Sequence, residues 1–351
     1  MRQAVLLGNP GTKRTLYLEK GAEKVQVPMT FWDWKQFNDQ HHVPGEYCGG
    51  PWSGKEIFLK IDPPVWDSCS LEELDSLTQE YEAQLKALES LGERGRVWFL
   101  NRPQAIWQLL DKRECKSKLK RLGIPVTEAL EEPMDGGESL LKAMEAHRVP
   151  QVFIKPVRGS GAAGIAAFRW QRKTGNMMLY TCGMEDPETG CLVNTKRLRC
   201  FTDRGQVMSF LDRLFQSDCI VERWYAKAQY QGFSYDLRAV IQDGQMDFML
   251  ARLSKGPITN LHLNNHPLNA SELNLPLSVL EETADLCRRA AEGYEGLRSV
   301  GIDILLENGS LRPKIIEMNG QGDLIYQDIY HENRIYRHQA EMMKRWLCGN
   351  V

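Results

Sequence analysis

Residues Val152-Phe153-Ile154-Lys155 form a short apolar run of strand type that ends in a lysine. They lead directly into Pro156-Val157-Arg158-Gly159-Ser160-Gly161-Ala162-Ala163-Gly164, after which Ile165-Ala166-Ala167-Phe168 resumes the strand pattern. Strand, small-residue tip, strand is a hairpin. Gly159, Gly161 and Gly164 carry no Cβ, so backbone N–H groups of such a tip can approach phosphate oxygens closely. Lys155 adds a positive charge at the base of the tip. No helix with a downstream ribose-binding acid follows, which sets aside a dinucleotide-binding turn. A strand on each side describes instead a lid over a nucleotide, with a plain glycine-rich turn as the alternative for this segment taken alone.

A second segment, Gly49-Gly50-Pro51-Trp52-Ser53-Gly54-Lys55, fits the G-x-x-x-x-G-K spacing of a phosphate loop. Glu56 stands where a magnesium-binding Ser or Thr is needed, and Pro51 and Trp52 suit a phosphate cradle poorly, so it is read as a chance match. The late carboxylates carry more. Gly301-Ile302-Asp303-Ile304-Leu305 and Lys314-Ile315-Ile316-Glu317-Met318-Asn319 read as two strands joined by a turn. Pairing them brings Asp303 beside Glu317, and side-chain alternation puts Glu317 and Asn319 on one face. Three oxygen donors held by apolar neighbours make a magnesium site of the kind completed by nucleotide phosphates. An exposed charged hairpin is the bland alternative.

Elsewhere, strand patterns fall at 4–8, 56–61, 97–100, 236–241 and 246–252, and helical spacing at 71–91, 104–122, 139–147, 277–295 and 332–347. Alternating strands and helices over the first hundred residues predict an open α/β domain. Apolar residues make up 42% and charged residues 26% of 351, enough for two or three compact units and not the composition of disorder. The formal net charge of -2 offers no basic excess, so no nucleic-acid partner is expected. The first residues form too short an apolar run for a signal peptide, and no stretch reaches bilayer-spanning length, so no membrane partner and a cytoplasmic location are expected. Nine scattered cysteines are expected as reduced thiols. Cys182, Cys191 and Cys200, nine apart, are read as thiols on neighbouring strands rather than as zinc ligands.

Taken in order, these segments resemble the ATP-grasp superfamily, nearest its glutathione synthetase and RimK-like carboxylate–amine ligase branch. Lys60-Ile61-Asp62-Pro63-Pro64 is similar to a basic-x-Asp-Pro-Pro segment of the N-terminal domain. Leu100-Asn101-Arg102-Pro103-Gln104-Ala105-Ile106 with Asp111-Lys112 resembles the N-x-P-x-A-I…D-K opening of the ATP-binding region, and Gly123-Ile124-Pro125-Val126 the G-I-P element. Ile220-Val221-Glu222-Arg223-Trp224 is similar to the hinge between lobes, Asp236-Leu237-Arg238 to a D-I-R step, and Arg252, Gly256 and Asn260-Leu261-His262 to the segment near the transferred phosphate. Two departures stand out: Gly320-Gln321-Gly322-Asp323 follows Asn319 where relatives often carry x-Ser-Pro-Gly, and the stretch from 224 to 236 is longer than in RimK-type proteins.

The resemblance implies an α/β (α+β) ATP-grasp fold: an N-terminal pre-ATP-grasp domain over 1–103, a small lobe with the glycine-rich lid over 104–221, and a large lobe with the magnesium site over 222–351. It implies ATP and Mg2+ as cofactors. Lys112, Lys155, Gly159, Ser160, Gly161 and Gly164 would hold the phosphates, and Glu222 with the backbone at Arg223 and Trp224 the adenine edge. Asp236 and Asn260 would complete the nucleotide site. Asp303, Glu317 and Asn319 would bind the metal. Arg252, Arg238 and Lys155 would stabilise charge as the γ-phosphoryl moves to a carboxylate. The implied activity joins a carboxylate to an amine through an acyl phosphate, on a small-molecule or peptide substrate, with homo-oligomerisation left open. A kinase acting on a hydroxyl, or a non-catalytic nucleotide-binding module, would use the same nucleotide site. At the end of the first strand, Lys13 and Arg14 are candidates for a substrate carboxylate, or a solvated turn. Trp32, Trp34, His41 and His42 are read as packing and surface residues.

Overall fold

The computed structural model of the chain describes residues 1–41, 55–66, 70–93, 96–159, 163–263, 265–321 and 332–349. Among these, the strands assemble into three sheets.

The N-terminal part alternates strands β1 (Arg2–Gly8), β2 (Met29–Asp33), β3 (Glu56–Ile61) and β4 (Val97–Phe99) with helices α1 (Lys13–Lys24), α2 (Trp34–His41) and α3 (Leu71–Glu93). The strands pair in parallel in the order β2-β1-β3-β4. Parallel sheets are covered on both faces, hence the unbroken apolar run Ala4 to Leu7 in β1, each residue fully buried. Val5, Leu7 and Leu59 pack against Phe37 of α2 and Leu85 and Leu88 of α3. Ala4, Leu6 and Phe58 face Leu18 of α1 on the other side.

The helical pattern at 104–122 forms two helices, α4 (Pro103–Leu110) and α5 (Lys112–Arg121), where sequence spacing predicts one. The break is Asp111. Its backbone is extended, and its carboxylate accepts hydrogen bonds from the N–H groups of Arg113 and Glu114, both at 2.9 Å. A short acid that can bond its own backbone prefers this capping role to a helix interior.

The second sheet is antiparallel, built from β5 (Ala129–Leu130), β6 (Gln151–Pro156), β7 (Ala166–Gln171), β8 (Asn176–Glu185), β9 (Leu192–Phe201) and β10 (Cys219–Arg223), in the order β5-β10-β6-β7-β8-β9. Helices α6 (Gly137–Ala146) and α7 (Arg204–Leu214) bury Leu140, Met144, Val207 and Leu211 against Ile154, Phe168 and Leu179. Cys182 lies on β8 and Cys200 on the neighbouring β9, and the cysteines described are free thiols.

The third sheet is also antiparallel. Short β11 (Gln229–Tyr230) pairs with β12 (Phe233–Gln242), beside β13 (Gln245–Ser254), β14 (His266–Asn269), β15 (Ser299–Leu306) and β16 (Pro313–Asn319), in the order β14-β13-β12-β15-β16. Helix α8 (Leu277–Glu292) packs Leu286, Cys287 and Ala290 on Leu237, Ala239 and Ile302, and Leu109 of α4 and Leu119 of α5 join the same core. Finally α9 (Arg334–Leu347) returns to the first domain, where Tyr336, Ala340, Met343 and Trp346 pack on Leu6, Leu18 and Phe58. The boundary expected at 221/222 therefore falls inside β10. Residues 103–121 pack on the first domain through Ile106 and on the third sheet through Leu109 and Leu119, and α9 covers the first sheet while reaching the third through Ile335.

Candidate functional site

The three units surround one cavity of about 400 Å³. Its most polar wall is the β15–β16 hairpin. Asp303 on β15 sits directly across from Glu317 on β16, and Gly301 across from Asn319. With its amide turned to satisfy both neighbours, Asn319 donates to Glu317 Oε1 at 3.2 Å and accepts from Arg238 at 3.1 Å. Asp303, Glu317 and Asn319 all line the cavity.

Strands β12 and β13 supply the countercharges. Arg238 lies opposite Asp303, and Asp236 opposite Arg252, in the strand register. Arg238 Nη1 pairs with Asp303 Oδ1, and Arg252 bridges Asp303 Oδ2 at 3.1 Å and Asp236 Oδ1 at 2.7 Å. Lys227 Nζ reaches Asp236 Oδ2 at 3.3 Å and Thr259 Oγ1 at 2.8 Å. Burial would raise the Asp236 carboxyl, but Arg252 and Lys227 outweigh it and hold it at about 2. Asp303 is likewise held low against its burial, by Arg238 and Arg252. Arg252 is pushed further up by these carboxylates despite burial, which acts the other way.

The second sheet and α5, which packs on β16, supply further lining. Lys155, at the end of β6, lies 3.1 Å from Glu222 Oε2 on the neighbouring strand β10. Lys116 Nζ lies 3.4 Å from the same oxygen, and Thr127 Oγ1 donates to it at 2.7 Å. Glu222 Oε1 has no hydrogen-bond partner among the described residues although it is buried. Burial acts most strongly on this carboxyl and would raise it, but Lys116 and Lys155 together hold it below the usual range. Lys112, the first residue of α5, donates to the Gly159 carbonyl at 2.7 Å, and burial pushes its ammonium down.

The two ends of the tip, at Gly159 and Gly164, lie against α3. Gly159 has φ +128°, and an added Cβ would lie 2.7 Å from Leu74 Cδ2. Gly164 has φ +65°, and an added Cβ would lie 2.7 Å from Pro156 Cγ and 2.9 Å from Leu71 Cδ1. Both positions require glycine conformationally and sterically. Arg158 reaches Asp75 of α3 at 3.3 Å.

Of the residues singled out from sequence, Lys112, Lys155, Gly159, Glu222, Arg223, Asp236, Arg238, Arg252, Asn260, Asp303, Glu317 and Asn319 line this cavity. Gly164 shapes the tip without lining it. Ser160 and Gly161 lie outside the described residues, as do Cys48, Cys69, His42, the 49–54 segment and the pair 322–323. Trp224 stands off the cavity. Its ring packs on Phe153 at 5.3 Å beneath the Arg169 guanidinium, and its N–H and C=O both bond to Gln151. The Arg223 N–H donates to the Glu128 carbonyl, so neither N–H group at 223–224 is left to meet an adenine edge, and Tyr225 lines the cavity next in sequence. Lys13 is exposed while Arg14 lines the cavity.

Sequence reasoning missed Lys116, Thr127, Lys227 and Thr259. Lys116 carried a usable signal: it is four residues after Lys112, on the same helix face. Lys227 carried none, since it lies in the stretch between 224 and 236 that departs from the pattern.

Two carboxylates and an amide oxygen on a rigid hairpin are the hard donors that suit magnesium, with phosphate oxygens filling further positions. Among the described residues no group of three or more His, Cys, Asp or Glu side chains gathers as a metal site. No described helix is long and apolar enough to cross a membrane.

No protein-family model matches the sequence, and no curated protein matches it. Solved structures do match in fold. The D-cycloserine synthetase DcsG is 12% identical, with 97% of this chain and 99% of that chain covered at a TM-score of 0.61. The macrocyclase MdnC, bound with precursor peptide MdnA from Microcystis aeruginosa MRC, is 13% identical, with 98% and 100% covered at 0.60. The ATP-grasp ligase PsnB, complexed with minimal precursor, Mg and ADP, is 15% identical, with 97% of each chain covered at 0.57.

Proposed function

The chain has the ATP-grasp fold, and on that premise we propose that it is an ATP-dependent ligase that joins a carboxylate to an amine. The observation that carries this reading is the cavity itself. Asp303, Glu317 and Asn319 line one space of about 400 Å³ together with Lys112, Lys155 and Gly159. That set of oxygen donors and ammonium groups suits a magnesium-bound triphosphate. Neighbours of the same fold were solved with ADP and Mg, which adds support.

In this reading Lys112, Lys155 and the 158–164 tip bind the phosphates, and Asp303, Glu317 and Asn319 hold magnesium, which screens the triphosphate charge when bound. Glu222 offers its unpartnered oxygen to the adenine amino group. A substrate carboxylate oxygen attacks the γ-phosphorus. The new O–P bond forms as the bond to the β-phosphate oxygen breaks, and ADP leaves. Arg252 and Arg238, now neutralised by Asp303 and Asp236, turn part of their charge to the transferred phosphoryl group. The amine nitrogen then attacks the acyl carbon. A C–N bond forms, the C–O bond to phosphate breaks, inorganic phosphate leaves, and the ammonium proton is released to solvent. The closed tip keeps water from the acyl phosphate.

The test incubates the full chain with magnesium, ATP and pooled amino acids and short peptides, following ADP release and product mass. The expected result is an amide, dependent on both acid and amine, and a loss of at least about a hundredfold in turnover for Glu317→Gln. A phosphate ester formed without any amine would instead establish a kinase. ATP binding with turnover indifferent to Glu317→Gln would leave only a nucleotide-binding module.

A further inference from the structure

One buried side chain outside the cavity joins the N-terminal domain to the hairpin that carries the oxygen donors. Asn101 lies just past β4, is 6% exposed and is not among the residues that line the cavity. Its amide uses every hydrogen-bonding position that a carboxamide has. Nδ2 donates to the Ser299 carbonyl and to the Gly320 carbonyl, both at 2.6 Å. Oδ1 accepts from the N–H groups of Arg298 and Ser299, both at 2.8 Å. Ser299 opens β15, the strand of Asp303, and Gly320 follows Asn319 at the end of β16. A single carboxamide thus bridges the ends of both strands of the hairpin.

The backbone is drawn in around that bridge. The Arg102 N–H donates to the Gly296 carbonyl at 3.0 Å. Gly296 has φ +74°, and an added Cβ would run into the Arg102 side chain. On the other side of the amide, an added Cβ at Gly320 would lie 3.3 Å from both Ile106 Cα and Leu109 Cδ1 of α4. Pairing between β15 and β16 ends at Gly301 and Asn319, and no ladder pair follows among the described residues. The Gly320 carbonyl is met by Asn101 instead, and the next residue, Gln321, bonds to Ile61 and Arg14 of the same N-terminal domain. Of these ties, the one from Asn101 lies nearest Asn319 in the chain.

We infer that Asn101 is a positioning residue of the metal site. By holding the Gly320 carbonyl to the start of β15, it sets Asn319 where the amide oxygen serves magnesium rather than a larger cation. The role rests on the ligase reading above and deepens it. Magnesium demands near-octahedral ligands at about 2.0–2.1 Å, whereas calcium accepts flexible geometry at about 2.3–2.6 Å. A small displacement of Asn319 therefore costs magnesium more than calcium. Asn101 acts through one peptide unit and touches neither metal nor nucleotide.

The experiment measures the calorimetric affinity of the full chain for ADP with excess Mg2+, with excess Ca2+ and with EDTA. In the natural chain Mg2+ should strengthen ADP binding at least about tenfold over EDTA. Asn101→Ala should cut that gain at least about fivefold, while the affinity in EDTA and the gain from Ca2+ stay within about twofold of natural. Gly320→Ala keeps the Asn101 amide but drives its Cβ at Ile106 and Leu109, and it should cut the Mg2+ gain at least about threefold. This second variant decides the matter if Asn101→Ala shows no cooperative urea transition. Leu286→Ala opens a cavity under α8 on the same sheet, so it should lower the urea midpoint and leave the Mg2+ gain unchanged. A Mg2+ gain that survives Asn101→Ala, or survives Gly320→Ala where the first variant does not fold, overturns the role and leaves the ligase standing. So does a gain lost equally with Ca2+, or lost as far in Leu286→Ala. A natural chain whose ADP affinity ignores Mg2+ would take down the metal reading and this role together.

Discussion

Glu222 holds two buried ammonium groups with one carboxylate: Lys155 Nζ at 3.1 Å and Lys116 Nζ at 3.4 Å, with side-chain exposures of 6% or less throughout. Breaking such a group by neutralising one member leaves an uncompensated buried charge. Glu222→Gln is therefore expected to destabilise the chain by about 3–5 kcal/mol, read from urea midpoints at pH 7. The pH dependence has a definite sign. The folded carboxyl is held below its unfolded value, so its contribution is present above about pH 4.3 and fades as pH falls through the lower folded value. The gap between the natural chain and the variant should be level from pH 8 to 5.5 and shrink below pH 4. A gap that widens in acid would contradict the ion-pair account. Lys155 was legible in the sequence because it closes a short apolar run before the glycines, and Glu222 only through the resemblance of 220–224 to a hinge segment. Lys116 carried only its spacing from Lys112; six basic residues share α5, and packing against β16 selects this one: its ammonium donates to the Ile316 carbonyl at 3.0 Å.

At the scale of elements, the β6–β7 hairpin and α3 act as one joint. Leu71 and Leu74 lie where Cβ atoms at Gly164 and Gly159 would be, and Asp75 reaches Arg158. The described ends of the tip are thus seated on the N-terminal domain, with Gly159 also lining the cavity. Gly159→Ala imposes a side chain on φ +128°, a region that costs about 1–3 kcal/mol, and drives its Cβ at Leu74. We expect KM for ATP to rise about tenfold. Adding Leu74→Ala should recover the steric share and leave the backbone share. An unchanged KM in Gly159→Ala would argue that the tip does not close on nucleotide. The hairpin could be read from the sequence because glycine marks a backbone need directly. Strands β8 and β9 were expected only as the neighbouring strands of Cys182 and Cys200, without bounds. Their runs, NMMLYTCGME and LVNTKRLRCF, mix polar residues and a glycine into an incomplete alternation, and pairing along ten residues supplies what the pattern lacks. The split between α4 and α5 was hidden for the opposite reason. Leucine spacing runs on through Asp111, and only the geometry of its cap shows that the helix restarts there, with Lys112 as its first residue.

At the scale of the whole molecule, the chain closes on itself through α9. An amphipathic pattern says that a helix packs, not on what, and proximity in sequence to the last sheet misassigned this one. One face packs Tyr336, Ala340, Met343 and Trp346 on the first domain. Another returns to the third sheet: Ile335 packs with Val240 and Leu250, and Gln339 donates to Ser299 at 3.1 Å. The helix therefore fixes the N-terminal wall of the cavity, with Arg14 and Trp66, relative to the hairpin that carries Asp303 and Glu317. His338 is part of that tie, with Nδ1 3.4 Å from Asp247 on β13, a carboxylate also met by Arg334 at 3.2 Å. Asp247 raises the imidazole above its ordinary value, against burial. A raised pKa means that the charged form is favoured by folding, so the contribution is complete below about pH 6.5 and is lost as pH rises through the folded value. His338→Gln should thus lower Tm by about 2 °C at pH 6, for an interaction on the order of 1 kcal/mol, and by less at pH 9. A difference in Tm that is the same at both pH values would place the tie in packing alone.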